Sequence, residues 1–191
     1  MKGTSRLSQL AVVYAVALGL LAVLAAVAYA KPASPTAPGD PLDPRTYAPE
    51  SRLFLVVHAD GVQKYVCQAN GTWLFTDPEA TLRRANRAAR AIGTHFLNVA
   101  TGRPVWQAKD GSSVEAARRA SAPAAPGSIP PLLLEAVAAS AGPDGDRLAA
   151  TTWVQRLNTS GGIAPAGSCT PGDRAAVPYT ADYLFWRAKG A

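Results

Sequence analysis

Residues 52–75 read RLFLVVHADGVQKYVCQANGTWLF, three strand-length runs separated by two turn dipeptides. Arg52 to Ala59 is a short apolar run. Asp60-Gly61 is a hairpin signal, because these residue types tolerate the backbone angles of a two-residue turn. Gly61 to Gln68 returns as a second strand, with Val62, Lys64 and Val66 on one face and Gln63, Tyr65 and Cys67 on the other. Neither face is cleanly apolar, so alternation alone does not select the inner one. Asn70-Gly71 is a second hairpin signal. Trp73-Leu74-Phe75 opens a third strand that runs into Thr76-Asp77-Pro78-Glu79. Strands joined by such tight turns describe an antiparallel meander.

The same rhythm continues downstream. The alanine and arginine content of 79–91 would support a helix, but we read a strand at Ala80–Leu82, a turn near Asn86-Arg87 and a strand from Ala89 to Phe96. Leu97 to Arg103 is a loop and Val105 to Gln107 a short strand. Asp110-Gly111 is a third hairpin signal, and Ser112 to Ala122 is the partner strand. A loop dense in proline and glycine covers Pro123 to Pro131. Leu132 to Ser140 (LLLEAVAAS) fits an apolar strand or a two-turn helix by periodicity alone, and is assigned to the helix. Leu148 to Asn158 is a long strand in which Thr151, Trp153 and Gln155 alternate with Thr152, Val154 and Arg156. Thr159 to Pro178 is an irregular loop. In the last strand, Tyr179 to Trp186, Tyr179, Tyr183 and Phe185 share one face and Trp186 takes the other. About eight or nine short strands with at most one short helix predict an all-β domain, an antiparallel meander closing into a barrel or sandwich. Consecutive hairpins favour the barrel, and closure removes the exposed strand edges.

Upstream, Lys31 to Pro49 carries Pro32, Pro35, Pro38, Pro41, Pro44 and Pro49. Repeated prolines oppose helix and central strand. The expectation is therefore a Pro-rich, extended linker at 31–50 and a single β-rich domain at 51–191. Before it, Lys2 and Arg6 precede an uncharged apolar run from Leu10 to Tyr29 that ends in Ala28-Tyr29-Ala30. That is the pattern of a signal peptide over residues 1–30. The run is also long enough to cross a bilayer, so a membrane anchor over residues 10–29 is the alternative. Both readings put the domain outside the cytoplasm, secreted or periplasmic.

The chain has 19 Lys and Arg against 13 Asp and Glu, a formal charge of +6. Its charges are scattered; the nearest thing to a cluster is Arg83, Arg84, Arg87 and Arg90, followed by Arg118-Arg119. A nucleic-acid surface needs a denser patch with interleaved aromatics, so no nucleic-acid partner is expected. The two cysteines, Cys67 and Cys169, are an even number in an oxidising compartment and allow one intramolecular pairing. Closing a loop of about a hundred residues stabilises a fold by at most about 4.7 kcal/mol in the chain-entropy model.

Chemistry-bearing residues are few. His58 and His95 are the two histidines. A mononuclear metal site would require them to converge, with Asp60, Asp77 or Asp110 completing the shell, and no His-x-His or Glu-x-x-His spacing brings them together. No Gly-x-Ser-x-Gly surrounds a serine. The glycines of Asn158-Thr159-Ser160-Gly161-Gly162 are followed by Ile163-Ala164-Pro165 rather than by the Lys-Ser/Thr of a phosphate loop, and serve the strand exit instead. Trp73, Trp106, Trp153 and Trp186 fall on separate strands, where they form core or line a cavity. No catalytic set and no cofactor is expected. The candidates for a ligand site are His95, Trp106, Asp110, Trp153, Gln155 and Asn158.

The ordered motifs also match a known pattern. Gly61-Val62-Gln63-x-Tyr65-x-Cys67 is followed by Trp73, Phe75 and Pro78-Glu79-Ala80-Thr81-Leu82, then by Gly93 and His95. Pro104-x-Trp106, Asp110-Gly111-Ser112, Ile129-Pro130 and Leu132-Leu133-Leu134 come next. Val154-Gln155-Arg156, Asn158-Thr159-x-Gly161-Gly162-x-Ala164-Pro165, Cys169 and Val177-Pro178-Tyr179-x-Ala181-x-Tyr183 complete the series. Over roughly Ser51 to Arg187 the chain resembles the DUF3455 family of exported bacterial and fungal proteins. The resemblance implies the Cys67–Cys169 pairing and no activity. Some members carry a malate dehydrogenase label, but no Gly-x-Gly-x-x-Gly opens a helix after a strand here. The expected function is an exported binding domain for a small molecule, an envelope component or a protein. The alternative is an extracytoplasmic enzyme, metal-assisted and centred on His95.

Overall fold

The computed structural model describes residues 33–84 and 90–191. The expected signal peptide or anchor and the turn near Asn86-Arg87 lie outside these residues. Strand β1 (Arg52–Cys67) runs 16 residues without a break, so the hairpin expected at Asp60-Gly61 is not formed. Gly61 is needed for close approach instead. It lies opposite Ala80 on β2 (Trp73–Arg84), where a Cβ would come within 2.5 Å of the Ala80 Cα. β2 is likewise longer than expected and passes through Pro78. That proline is tolerated because β2 pairs with β3 (Ala91–Asn98) only from Ala80 onward. Before that point the Asp77 carboxylate accepts from the Leu97 N–H.

The remaining strands are β4 (Arg103–Ala108), β5 (Ser113–Ser121), β6 (Leu132–Ser140), β7 (Trp153–Gly161) and β8 (Arg174–Arg187). Each pairs antiparallel with the next, and β8 returns along nearly the whole of β1, closing an eight-stranded up-and-down barrel. The helix expected at Leu132–Ser140 is a strand. Leu133 and Leu134 are both buried, but on opposite faces of the wall, which makes the segment look uniformly apolar. Among the described residues the one helical element is a 3₁₀ turn at Pro44–Thr46.

Inside the barrel, small residues (Ala59, Ala80, Ala116 and Ala181) leave room for Trp106, Tyr183 and Phe185. The faces of β8 follow the sequence reading, with Tyr179, Tyr183 and Phe185 inside and Trp186 outside. A second apolar cluster lies on the outer face of the wall, where Leu133, Trp153, Leu157, Leu184 and Trp186 meet Ala33 and Leu42. The Pro-rich stretch, expected to be an extended linker, is therefore a packed arm over residues 33–50.

Candidate functional site: the upper end of the barrel

The β1–β2, β3–β4, β5–β6 and β7–β8 loops gather at one end, here the upper one. Cys67, at the top of β1, is bonded to Cys169, with Cα atoms 5.9 Å apart and a sequence separation of 102. Backbone bonds reinforce this join: the Cys169 N–H donates to the Gly71 carbonyl, and the Gly172 N–H to that of Cys67. The β7–β8 loop is thereby held against the β1–β2 hairpin.

Just below that join lies an open cavity of about 530 Å³. Its walls carry the apolar Phe75, Leu97, Ile129, Leu132 and Leu134, with Gln63, Tyr65, His95 and Arg156 among them. The Asn158–Pro165 segment fixes part of this lining. The Tyr65 hydroxyl donates to the Gly162 carbonyl at 2.6 Å, and the Ile129 N–H to that of Gly161 at 2.9 Å. Gly162, at φ +83°, has no room for a side chain: a Cβ would come within 3.0 Å of Tyr179, Gln63 and Ile129.

His95 and Trp106 are cross-strand partners on β3 and β4. Their rings stack at 4.6 Å, with Tyr183 edge-on to both. The His95 Nδ1–H donates to the Val105 carbonyl at 2.8 Å. Burial pushes the His95 pKa down to about 3; the Val105 bond opposes the shift and the nearby Arg156 charge adds to it. The ring is thus a neutral group at physiological pH, and so weak a base is ill matched to proton abstraction near neutrality.

Next to it lies a set of buried polar groups. Gln63, Tyr179 and Tyr183 are between 1% and 4% exposed; no hydrogen bond of good geometry reaches either tyrosine hydroxyl or the Gln63 Nε2, although Tyr179 lies close enough to Tyr183 and Gln63, and Tyr183 to Arg156, for weak ones to bear on their ionisation. The Trp106 Nε1 is also unpartnered. Burial raises the pKa of Tyr65, Tyr179 and Tyr183, so all three phenols keep their protons.

The other sequence candidates belong elsewhere. Asp110 sits in the β4–β5 turn at the lower end, where its carboxylate accepts from Ser112 Oγ and from the Ser112 and Arg147 N–H groups. Trp153 and Gln155 are on the outer face. Tyr47 of the arm stacks on Trp153 at 5.7 Å. Gln155 accepts from Trp186 Nε1 and donates to the Leu42 carbonyl. Asn158, at φ +47°, donates from its side chain to Asp182, which also accepts from the Ala33 N–H and His58 Nδ1. His58 therefore faces outward while His95 faces inward, and the two do not converge. Of the four tryptophans only Trp106 is in the inner core. Among the described residues no group of three or more His, Cys, Asp and Glu is arranged to hold a metal. Of the lining, Gln63 and Arg156 were missed as site residues, as was the Tyr179–Tyr183 pair beside them. The sequence shows which of them share a strand face, but not that this face is the inner one.

The sequence pattern of a family described as protein of unknown function (DUF3455) matches residues 48–187. The chain belongs to this family. Comparison with curated proteins and with solved structures returns no match. The matched span of this DUF3455 chain takes in all eight strands, the disulfide and the cavity, and begins within the arm, at Ala48.

Proposed function

We propose that the protein is an exported binding domain that holds a small molecule in the upper end of its barrel. The observation that carries this is the open cavity of about 530 Å³, whose apolar walls also carry Gln63, Tyr65, His95 and Arg156. Apolar walls with a few convergent polar groups are the usual make-up of a small-molecule site. The charged start, apolar run and Ala-x-Ala of residues 1–30 support export, as does the disulfide.

Titration with the neutral, apolar fluorophore N-phenyl-1-naphthylamine tests the reading. Saturable binding near one molecule per chain is expected, lost in Leu132→Trp, which fills the cavity from a lining position. Absence of saturable binding, or binding unaffected in a folded Leu132→Trp variant, would count against it.

A further inference from the structure

We infer that the cavity selects an anion: a small molecule with an apolar body and one oxyanion group, carboxylate, sulfonate or phosphate, seated against Arg156. The inference rests on the small-molecule reading above and adds the charge of the ligand to it.

Arg156 is on the inner face of β7, opposite Tyr183. Its Nε and Nη2 donate to the Pro130 carbonyl at 3.1 and 2.9 Å, which holds the guanidinium at the cavity wall. Some other cations on this barrel and its arm have opposite-charge neighbours. Arg45 pairs with Asp43, Lys64 with Glu79 and Asp77, and Arg103 with Glu115. Arg156 has no carboxylate partner among the described residues. Among those lining the cavity there are three arginines, Arg103, Arg118 and Arg156, and no acid. A partly enclosed guanidinium without a counter-charge is an incomplete ion pair, and its planar donor fork matches an oxyanion.

The polar groups along and behind this wall have the matching polarity. The Gln63 amide nitrogen is a donor, and the protonated Tyr179 and Tyr183 hydroxyls are able to donate. Arg156 bears on the ionisation of Tyr65, His95, Tyr179 and Tyr183 alike, which places its charge within reach of the whole polar side of the site. Neutral His95 and the aliphatic wall residues supply the apolar seat for the rest of the ligand.

The test compares 8-anilinonaphthalene-1-sulfonate with N-phenyl-1-naphthylamine, which has the same ring skeleton without the sulfonate. Arg156→Gln is expected to weaken the sulfonate by roughly 10- to 100-fold and to leave the neutral dye within about twofold. Arg156→Lys should restore part of the sulfonate affinity. It also keeps the test valid if the glutamine variant fails to fold: the sulfonate is then expected to bind Arg156→Lys more weakly than wild type, with the neutral dye unchanged. A second cluster of cations, Arg84, Arg90, Lys109 and Arg147, lies at the lower end and serves as a control. Sulfonate binding that falls in Arg90→Gln and not in the Arg156 variants would overturn the inference. So would equal losses of both dyes at Arg156. In either case, binding of the neutral dye that Leu132→Trp abolishes leaves the small-molecule reading standing. If neither dye binds wild type, the cavity reading itself falls, and this inference with it.

Discussion

His95 shows what a single residue contributes to this barrel. The folded ring stays neutral down to about pH 3, whereas in the unfolded chain it takes up a proton near its ordinary value of 6.5. Between these values the unfolded state binds more protons, so stability falls as pH is lowered. The His95 contribution is fully present above about pH 6.5 and is gone by about pH 3, with an upper slope of roughly 1.4 kcal/mol per pH unit. His95→Gln removes the titrating group. Urea denaturation at pH 7 and pH 4.5 should show wild type losing about 2 kcal/mol more than the variant. Equal losses would mean that the ring is not buried in its neutral form. The sequence singled out His95 because histidine is scarce, and Trp106 comes with it as its cross-strand partner. It did not single out Arg156. Alternation put Arg156 on the face of β7 opposite Gln155, but a face becomes "inside" only once the sheet closes.

Elements explain the two larger departures from the sequence reading. Asp60-Gly61 has turn composition, yet Gly61 spaces β1 from β2. A turn and a close strand approach both require the missing Cβ, so the dipeptide alone does not distinguish them. In Gly61→Ala the new Cβ would meet the Glu79 carbonyl oxygen at 2.0 Å, and backbone has little freedom to move away. A loss of about 1–3 kcal/mol in urea denaturation is expected. Gly102→Ala provides the comparison: it meets a positive φ but has nothing within 4 Å, and should cost about 1 kcal/mol or less. If Gly61→Ala proves the milder of the two, the close approach is not what the glycine serves. β6 departs from the helix expectation for a different reason. A strand covered on one face alternates, whereas Leu133 packs under the arm and Leu134 inside the barrel, erasing the period that would have marked it. The Asn70-Gly71 and Asp110-Gly111 turns form as expected.

At the scale of the whole molecule the barrel has two apolar cores, and the second exists only because the arm covers it. Proline content suggested a spacer, since proline opposes regular structure, but an irregular segment still packs when its polar groups are satisfied. Asp43 shows how. Burial alone would raise its pKa, but bonds from the Arg45 side chain and N–H outweigh that and hold the carboxyl below its usual value. Arg45 in turn lies over the Trp186 ring at 5.2 Å. The contacts are reciprocal. The arm gives Gln155 a carbonyl at Leu42 and gives Asp182 the Ala33 N–H, and in return it buries Leu42 on Trp153 and Trp186. A chain beginning at Ser51 would leave the buried Gln155 amide without its partner, give up the Ala33–Asp182 bond and expose two tryptophans to water. Several kcal/mol are at stake, and at this chain length that lowers the melting temperature by roughly 5–10 °C. The cavity lies on the other side of the wall, with no arm residue in its lining. Neutral-dye affinity at 25 °C should therefore stay within about twofold of wild type while the melting temperature drops and tryptophan emission shifts to the red. An unchanged melting temperature would return the arm to the role of a spacer. Dye binding lost in a shortened chain that is still folded would make the arm part of the binding site.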